Sequence, residues 1–513
     1  TVNYSSQNVG GASRVIAKTF NIPAEKVRVI CPHIGGGFGS KGGVLAFTNL
    51  TVMAAQILKR PVKITLTRQQ MFTLVKLRQR DIQRVRLSAT KDGKLTALVH
   101  EITTHTSIDD EFIEQCGAMS RIMYDTPNSL VSHRVVKLNV QSPSFVRAPG
   151  EATGSFALES AIDELAYKLK IDPIDLRLKN EPAKDPESGK PWSSRSFVQC
   201  LKLGAEKFGW NARKQEPLKN VNGNYYIGYG VAGGTYPARQ QPTTASLKLT
   251  RNGDEVKAFV ELAATDLGTG TYTIVAQTAA DVLQLPIEKV SVSIGDSALP
   301  PAPGSGGSVG AASFTNATNE VCLKALQELS TKANRDVKTS GITDLLKNLN
   351  LNEFQTKAEA KQDESAKNYS NHTFSANFAE VWVDKNLGII KVKRQLTTVG
   401  AGLILNARTA RSQILGGSVW GVGLALHEES MLDTRFGNFA TRTLGDYHVP
   451  VNLDIGTTDV YFVPEKDNIV NKLGVKGIGE IGIVGAGAAI ANAIFNAIGK
   501  RVRNVPITPD KLL

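Results

Sequence analysis

One carboxylate near the end of the chain has surroundings that favour proton chemistry. Glu480 lies in residues 476–487, and nearly all of the remaining residues in this run are glycine or aliphatic. Burial in apolar surroundings raises the pKa of a carboxylate, and a carboxylate with a raised pKa can accept protons near neutral pH. Two interpretations follow from the segment alone. Glu480 is a general base, or it interacts with the dipole of a helix predicted over residues 488–498.

Two glycine-rich loops follow similar stretches of sequence. Residues 21–29 and 284–292 share five of nine residues, and they lead to loops at 35–39 and 304–308. Each copy follows a predicted helix and becomes a short strand, so we expect two related units. Glycine-rich loops expose backbone N–H groups to oxyanions. Two such loops facing one cleft could hold an elongated cofactor with a pyrophosphate group.

Neither loop fits a standard nucleotide-binding or hydrolase motif. Residues 37–42 match G-x-G-x-x-G, but residues 62–67, predicted as the next strand, run into Arg68 instead of an acid. Residues 306–310 match G-x-S-x-G, but prolines stand where a nucleophile elbow requires a strand.

An arginine precedes a helix predicted over residues 154–169. Arg147 could pair with helix acids such as Glu151 or Glu159. Alternatively, its guanidinium is held at a phosphate or substrate cleft.

The composition limits the possible partners. A net charge of +13 over 513 residues suggests an anionic partner, but aromatic content of 6% and interspersed charges weaken the nucleic-acid interpretation. No run of about 18 apolar residues is apparent, so we expect no membrane span. The four cysteines and seven histidines are scattered, which predicts neither a protein-ligated metal nor an iron–sulfur cluster.

The pattern of elements predicts a mixed α+β protein with two halves. Asp92-Gly93 and Asn252-Gly253 each separate two strand-like segments, which predicts two hairpins. We place the boundary near residues 222–226, giving domains 1–222 and 223–513. Residues 339–371 are polar and contain few aromatics, and we expect a surface insertion or small helical excursion there.

Taken together, these segments resemble the molybdenum-cofactor subunit of the xanthine oxidase and aldehyde oxidoreductase family. The bacterial aldehyde and isoquinoline oxidoreductases are the branch that the chain resembles most. The resemblance covers the whole chain in family order, and it implies a further domain before Thr1. The motifs that carry it are residues 6–8, 35–41, 145–150, 266–270, 304–308, 413–417 and 476–482.

The resemblance implies two related mixed α/β halves with molybdopterin bound between them, as its cytosine dinucleotide. The pterin dithiolene would hold the molybdenum, with no protein ligand. Iron–sulfur and FAD subunits would carry electrons away. The implied reaction is oxidation of aldehydes to carboxylic acids with water as the oxygen source. The alternatives are hydroxylation of N-heteroaromatics such as isoquinoline and, outside enzymes, a polyanion-binding protein.

The resemblance also assigns roles to individual residues. Glu480 would be the general base, and Gln7 would hydrogen-bond an oxo group of the molybdenum centre. The implied cofactor contacts are Gly36, Gly37, Phe38, Gly39, Arg147, Leu267, Thr269, Gly307, Ser308, Gly310 and Gln413.

Four further positions concern the substrate. Gly42, Gln115 and Pro149 stand where purine-oxidising members carry a glutamate, an arginine and an aromatic residue. Arg239 falls near the place where the family's substrate pocket receives a side chain. The departures argue against a purine substrate.

Overall fold

The computed structural model describes residues 1–336 and 341–512, in which helices and strands are mixed throughout. The strands are β1 (Val2–Asn3), β2 (Val29–Ile30), β3 (Asp81–Ala89), β4 (Leu95–Ser107), β5 (Ser129–Leu138), β6 (Val221–Asn222), β7 (Tyr225–Pro237), β8 (Thr243–Asn252), β9 (Glu255–Glu261), β10 (Val290–Ser293), β11 (Glu353–Ala360), β12 (His372–Asp384), β13 (Ile390–Gly400), β14 (Leu432–Asp433), β15 (Asn438–Phe439) and β16 (Thr457–Phe462).

The α-helices lie between and after these strands. They are α1 (Val9–Thr19), α2 (Ala46–Leu58), α3 (Arg68–Leu74), α4 (Ala118–Ile122), α5 (Glu151–Leu169), α6 (Pro173–Lys179), α7 (Phe197–Phe208), α8 (Thr271–Leu283), α9 (Gly310–Ala333), α10 (Ile342–Asn348), α11 (Ala407–Val422), α12 (Asn452–Ile455) and α13 (Ala486–Ile498).

A five-stranded sheet of order β16–β13–β12–β7–β6 carries helices on both faces. On one face α13 lies directly on β7, because Gly228 and Gly230 leave room for it. A Cβ atom at Gly228 would lie only 1.8 Å from the carbonyl oxygen of Ala493. On the other face α7 approaches through Gly204, where a Cβ atom would lie 2.2 Å from the ring of Phe378. Small residues therefore set the distance between the sheet and both helices.

Two further sheets complete the architecture. A four-stranded sheet of order β10–β9–β8–β11 packs its apolar face against α8, α9 and α10. A three-stranded sheet of order β3–β4–β5 supports α5. Both predicted hairpins are confirmed: Asp92-Gly93 lies between the antiparallel strands β3 and β4, and Asn252-Gly253 lies at the turn between β8 and β9.

The repeat in the sequence corresponds to a repeat in structure. The units β1–α1–β2 and β9–α8–β10 each hold two parallel strands joined by a helix. Each helix is followed by a residue with positive φ, Asn21 at 50° and Gln284 at 53°, and then by a short 3₁₀ turn. The two copies meet where Ile30 bridges Asp296, so both glycine-rich loops leave from one place.

Of the two alternatives for residues 339–371, the small helix is present as α10, whereas the surface insertion does not describe the part of the segment that the structure describes. (Thr339 and Ser340 lie outside the described residues.) Helix α10 buries Ile342, Leu345 and Leu346 in the core under the four-stranded sheet. Strand β11 pairs with β8 along its whole length. The segment appears polar in sequence because β11 is an edge strand that alternates exposed charges with buried residues such as Phe354.

The predicted boundary at residues 222–226 is the tight turn between β6 and β7. The largest hydrophobic core runs across it. Phe197 and Leu201 of α7 pack in the same cluster as Phe374 and Phe378 of β12. The division into 1–222 and 223–513 stays a proposal, and the two parts share one core.

Two smaller expectations also need correction. Residues 62–67 form no strand, although α3 begins directly after them with a capping box at Thr67. Among the residues that the structure describes, one 18-residue window, Ile481–Ile498, is apolar and long enough for a membrane span. It is 89% buried within the protein, where most of it is the core helix α13.

Candidate active site

The glycine-rich loops and Glu480 line one cavity of about 1380 Å³. This is larger than the usual range for a small-ligand pocket, about 300–1,000 Å³. Of the residues singled out from the sequence, Gly36 is the one that does not line the cavity. The others all contribute to its wall: Gln7, Gly37, Phe38, Gly39, Gly42, Gln115, Arg147, Pro149, Arg239, Leu267, Thr269, Gly307, Ser308, Gly310, Gln413 and Glu480.

Gln7 connects the two glycine-rich loops. Its Nε2 donates to the carbonyl oxygen of Ser305 at 2.8 Å, and its Oε1 accepts from the N–H of Gly39 at 2.8 Å. Its backbone pairs with Lys41 on one side and Ser305 on the other. Gln7 is 4% exposed. Because buried polar groups need hydrogen-bond partners, one orientation of this amide allows it to bond to both loops. One of its two Nε2 hydrogens remains for another partner.

The first loop requires glycine where the chains approach closely. Gly39 has φ +105°, and a Cβ atom there would lie 2.3 Å from the carbonyl oxygen of Phe145. The neighbouring Phe38 also has positive φ, and its exposed ring packs edge-on against Trp420 with centroids 5.3 Å apart. The loop therefore presents bare backbone beside one aromatic ring.

The start of α8 supplies a third stretch of backbone. The Oδ1 of Asp266 accepts hydrogen bonds from the N–H groups of Gly268, Thr269 and Gly270. This turn brings Leu267 and Thr269 to the cavity wall at the amino end of a 13-residue helix. Helix amino ends attract phosphate groups.

Arg147 is buried and bonded to backbone carbonyl groups. Its Nε donates to Gly479 at 2.8 Å and its Nη2 to Gln413 at 2.7 Å. Burial lowers the pKa of Arg147 to about 10, and the charge of Glu480 opposes that change. The alternative in which Arg147 pairs with a helix acid is wrong, because Arg147 forms no ion pair with Glu151 and Glu159 pairs with Arg177. Arg147 instead fixes the segment that carries Glu480.

Glu480 is half-buried and held by two hydrogen-bond donors. Its Oε1 accepts from the N–H of Ala148 at 3.1 Å, and its Oε2 accepts from the hydroxyl of Ser308 at 3.0 Å. The prediction of apolar surroundings for Glu480 is therefore wrong, because loops that are remote in sequence bring these two hydrogen-bond donors to its carboxylate. The helix-dipole interpretation also needs correction, because α13 begins at Ala486, six residues after Glu480, and the carboxylate bonds to Ala148 and Ser308 instead. A carboxylate with two donors still has lone pairs for a proton.

A buried ion cluster anchors the run that ends at Glu480. The Nζ of Lys476 lies 2.6 Å from Glu465 and 3.0 Å from Asp467, and it donates to the carbonyl oxygen of His372 at 2.9 Å. The side chain of Lys476 is fully buried. Sequence reasoning missed this role, although a lysine beside a glycine-rich apolar run was a visible signal.

The residues assigned to the substrate all line the cavity. Gly42, Gln115 and Arg239 are exposed to the cavity, and Pro149 is partly buried. Arg239 has no ion-pair partner in the part of the chain that the structure describes. Two neighbours also line the cavity: Tyr236, which sequence reasoning did not single out, and Glu151, which it considered only as a possible partner of Arg147. Burial and the Glu480 carboxylate raise the pKa of Tyr236 well above its usual value.

No cluster of three or more His, Cys, Asp or Glu side chains suited to a metal ion occurs within residues 1–336 and 341–512. The four cysteines are buried and unpaired. Burial raises the pKa of each thiol, so none is a ready thiolate ligand.

Comparison with known proteins gives a consistent result. Two family profiles, both described as a molybdopterin cofactor-binding domain, match residues 1–181 and 203–456. The chain is 38% identical to the aldehyde oxidoreductase molybdenum-binding subunit PaoC of Escherichia coli K12, over 99% of this chain and 71% of that protein. It is 28% identical to the xanthine dehydrogenase molybdenum-binding subunit of Escherichia coli O157:H7, over 100% and 72%.

Solved structures with the same fold include two oxidoreductases. Quinoline 2-oxidoreductase from Pseudomonas putida 86 superposes with a TM-score of 0.88 at 22% identity, over 99% of this chain and 71% of that chain. Aldehyde oxidoreductase from Desulfovibrio gigas superposes with a TM-score of 0.86 at 25% identity, over 99% and 57%.

The cavity has features that fit a large pterin cofactor. Its volume is sufficient for a cofactor and a small substrate, and two loops with bare backbone face each other across Gln7. The turn at Asp266 adds a helix amino end suited to phosphate. With both family profiles matched and a 38% identical relative covered over 71% of its length, the chain belongs to the molybdopterin cofactor-binding family of molybdenum-dependent oxidoreductases.

Proposed function

We propose that this chain is the catalytic part of a molybdenum hydroxylase that oxidises aldehydes to carboxylic acids. In balance, an aldehyde and one water give a carboxylic acid, two protons and two electrons. The observation that carries the proposal is the position of Glu480, whose carboxylate is fixed at the cavity wall by Ala148 and Ser308. A carboxylate held in this way can take a proton in the reaction without moving far.

The cofactor proposed here is molybdopterin in its cytosine dinucleotide form. When bound, it supplies the redox centre that accepts the two electrons. The loops at 35–39 and 304–308 would hold its polar edges through backbone N–H groups, and Gln7 would offer its remaining amide hydrogen. Thr269 at the amino end of α8 would face a phosphate. Phe38 would cover one side with its exposed ring.

Glu480 would act as the general base on the oxygen nucleophile that water provides. Ser308 and the N–H of Ala148 orient its carboxylate, while Arg147 holds the preceding carbonyl of Gly479. Lys476 anchors the same run four residues earlier. This arrangement places one proton acceptor at a defined point of the wall, and pre-positioning of this kind contributes to the rate.

The proposed substrates are aldehydes, aromatic ones first. Gly42, Gln115 and Pro149 supply none of the charged or stacking contacts expected for a purine. A site that lacks hydrogen-bond partners for a substrate can discriminate against it by orders of magnitude. Arg239 contributes a cation to the same wall, and it forms no ion pair within residues 1–336 and 341–512. The similarity to a subunit named as an aldehyde oxidoreductase supports this choice.

N-heteroaromatic hydroxylation is the second candidate. It is favoured by the likeness to a relative named as the large subunit of nicotine 6-hydroxylase from Paenarthrobacter nicotinovorans, at 26% identity. Rates for benzaldehyde, isoquinoline and hypoxanthine, measured side by side on the purified complex, distinguish the candidates. A preference for hypoxanthine would contradict the substrate proposal, and a preference for isoquinoline would favour the second candidate.

The electrons must leave the cofactor through other groups. We propose an iron–sulfur subunit and an FAD subunit as partners. Several relatives are named as subunits, one of them of a dehydrogenase complex. The net charge of +13 gives this chain a surface that could attract acidic partners. Steady turnover by this subunit alone would contradict the dependence.

The test of the base is Glu480→Gln in the purified complex. We expect molybdenum content to be unchanged and turnover to fall by about 10²–10⁴-fold, the range for a general base. Glu288→Gln is the matched control, since Glu288 is exposed in the short turn before β10. Retention of more than about a tenth of the activity in Glu480→Gln, with full molybdenum, would reject the assigned role.

A further inference from the structure

Three ionisable side chains outside the base and the cofactor loops meet on one part of the cavity wall. Tyr236 is the penultimate residue of β7, Arg239 follows that strand, and Glu151 is the first residue of α5. All three line the cavity. Tyr236 interacts electrostatically with Glu480, Glu151 and Arg239, so the four groups form one cluster.

Glu151 is the unusual member of the cluster. It is 8% exposed, and its Oε2 has no hydrogen-bond partner. A buried carboxylate oxygen without a partner is costly, whereas a protonated carboxyl group costs much less and can donate one hydrogen bond. Burial raises the pKa of Glu151 to about 8, and the charges of Glu480 and Glu114 act in the same direction. At neutral pH the group is therefore mostly uncharged.

Burial also raises the pKa of Glu114 and of Asp81, but unlike Glu151 neither of these carboxyl groups lines the cavity. Glu114 is ion-paired with Arg78 at 2.5 Å and accepts from the N–H of Gly150. Burial lowers the pKa of His372 to about 4. Other ionisable groups of this region come from the elements packed around the start of α5. They are Arg147 in the loop before α5, Tyr236 and Arg239 at the end of β7, His372 at the start of β12, Arg78 and Asp81 at the start of β3, Glu114 and Cys116 before α4, and Glu480 before α13.

Arg239 provides the complementary charge. It is exposed to the cavity, and no carboxylate in the described parts of the chain forms an ion pair with it. Its charge acts on Glu151 and lowers that group's pKa, but the two side chains form no ion pair. A small anion could therefore bind between a guanidinium and an uncharged carboxyl group.

We propose that Glu151 and Arg239 form a carboxylate-binding subsite in which protonated Glu151 donates a hydrogen bond and Arg239 supplies the positive charge. Its ligands are aromatic carboxylates, the products of the reaction proposed above, and the choice of ligand rests on that proposal. Ionised Glu151 has no proton to donate and repels a carboxylate. The subsite therefore holds the product at neutral pH and releases it as the pH rises.

The experiment measures binding instead of turnover. The purified complex is titrated with benzoate by calorimetry between pH 6 and 9.5, and with benzamide as an uncharged analogue. For the unmodified protein we expect a constant Kd for benzoate below about pH 7 and an increase approaching about tenfold per pH unit above pH 8. Benzamide should bind with little dependence on pH over this range.

Two variants separate the two contributions. Glu151→Gln keeps a hydrogen-bond donor and removes the titration, so its Kd for benzoate should stay level across the range. Arg239→Gln should weaken benzoate binding at least about tenfold below pH 7. The pH dependence should persist with its midpoint moved to higher pH, because the charge that lowers the pKa of Glu151 has been removed. Glu25→Gln, an exposed glutamate in the first repeat, is the control and should match the unmodified protein.

The outcomes decide the proposal. An unchanged pH dependence in Glu151→Gln, or the same dependence for benzamide, would overturn it, as would benzoate affinity unaffected by Arg239→Gln. If Glu151→Gln fails to fold, the Arg239→Gln titration still decides. Aldehyde turnover without pH-dependent benzoate binding would reject the subsite alone. The expected binding in a complex that oxidises no aldehyde would keep the subsite and reject the proposed function.

Discussion

The ion pair between Arg177 and Glu159 gives a quantitative prediction about stability. Both side chains are fully buried, and Nε of Arg177 lies 2.9 Å from Oε2 of Glu159. Arg177 also donates to the carbonyl oxygens of Pro173 and Val231, so it joins α6 to β7. The pair therefore connects the first part of the chain to the central sheet.

Three variants separate the two partners: Glu159→Gln, Arg177→Met and the double change. Glu159→Gln removes the ion-pair partner of a buried guanidinium, which then interacts only with the more distant charge of Asp163, and we expect a loss of about 3–5 kcal/mol in the free energy of unfolding. Arg177→Met leaves Glu159 with donors from Tyr124 at 2.6 Å and Gly233 at 2.5 Å. Its cost should therefore lie near the lower end of that range.

The double variant carries the main test. It removes both charges, so it should cost clearly less than the sum of the two single changes, with a coupling of about 2 kcal/mol. Urea unfolding followed by fluorescence gives the free energies from midpoints and slopes. Lys168→Met is the control, because Lys168 pairs with Glu164 on the exposed face of α5 and should change stability by less than about 1 kcal/mol. Additive single costs, or a cost below about 1 kcal/mol for Glu159→Gln, would refute the reasoning.

Three further predictions concern the cavity. Lys476→Met should lower thermal stability and reduce turnover more than tenfold, because it releases the segment that holds Glu480. Lys472→Met, at an exposed lysine, should do neither. Equal effects of the two changes in calorimetry and in rate assays would contradict this prediction. Because the pKa of Glu151 is raised to about 8 from its usual value, its contribution to stability is full below about pH 4.5 and is lost as the pH rises towards 8. Glu151→Gln should therefore gain stability relative to the unmodified protein across that window, by up to about 1.4 kcal/mol per pH unit in denaturant titrations, and a constant difference would contradict the assignment. Gly39→Ala should lose molybdenum, measured by elemental analysis, since its Cβ atom would collide with backbone; full metal content would show that the loop can move.

Much of the fold could be predicted because local signals were strong. The two Asx-Gly hairpins needed only turn chemistry and strand alternation. The repeat at residues 21–29 and 284–292 predicted two related units, and the structure extends each to a strand, a helix and a parallel strand. Residues 62–67 show the opposite case. Their β-branched pattern favours a strand, but a strand also needs a neighbour to pair with.

The sequence allowed us to predict which residues belong to the site, but not the contacts that those residues make. The glycine loops and Glu480 were visible as motifs, and all but Gly36 of the residues assigned from the family line one cavity. The donors to Glu480 come from Ala148 and Ser308, which are 332 and 172 residues away in sequence. No local pattern encodes such contacts. For the same reason no local pattern indicated that an oxygen of Glu151 would be buried without a hydrogen-bond partner.

The way the cavity wall is assembled has a consequence for biosynthesis. Gln7 near the beginning and Glu480 near the end of the sequence belong to the same wall, and α13 completes the packing on β7. A ribosome that has delivered the first glycine loop has therefore not yet delivered the base or the helix behind it. Contacts of such long range also form slowly. We expect the pterin to enter only after translation of residue 498, so a cell that produces this protein needs a means of keeping the open, empty intermediate from aggregating.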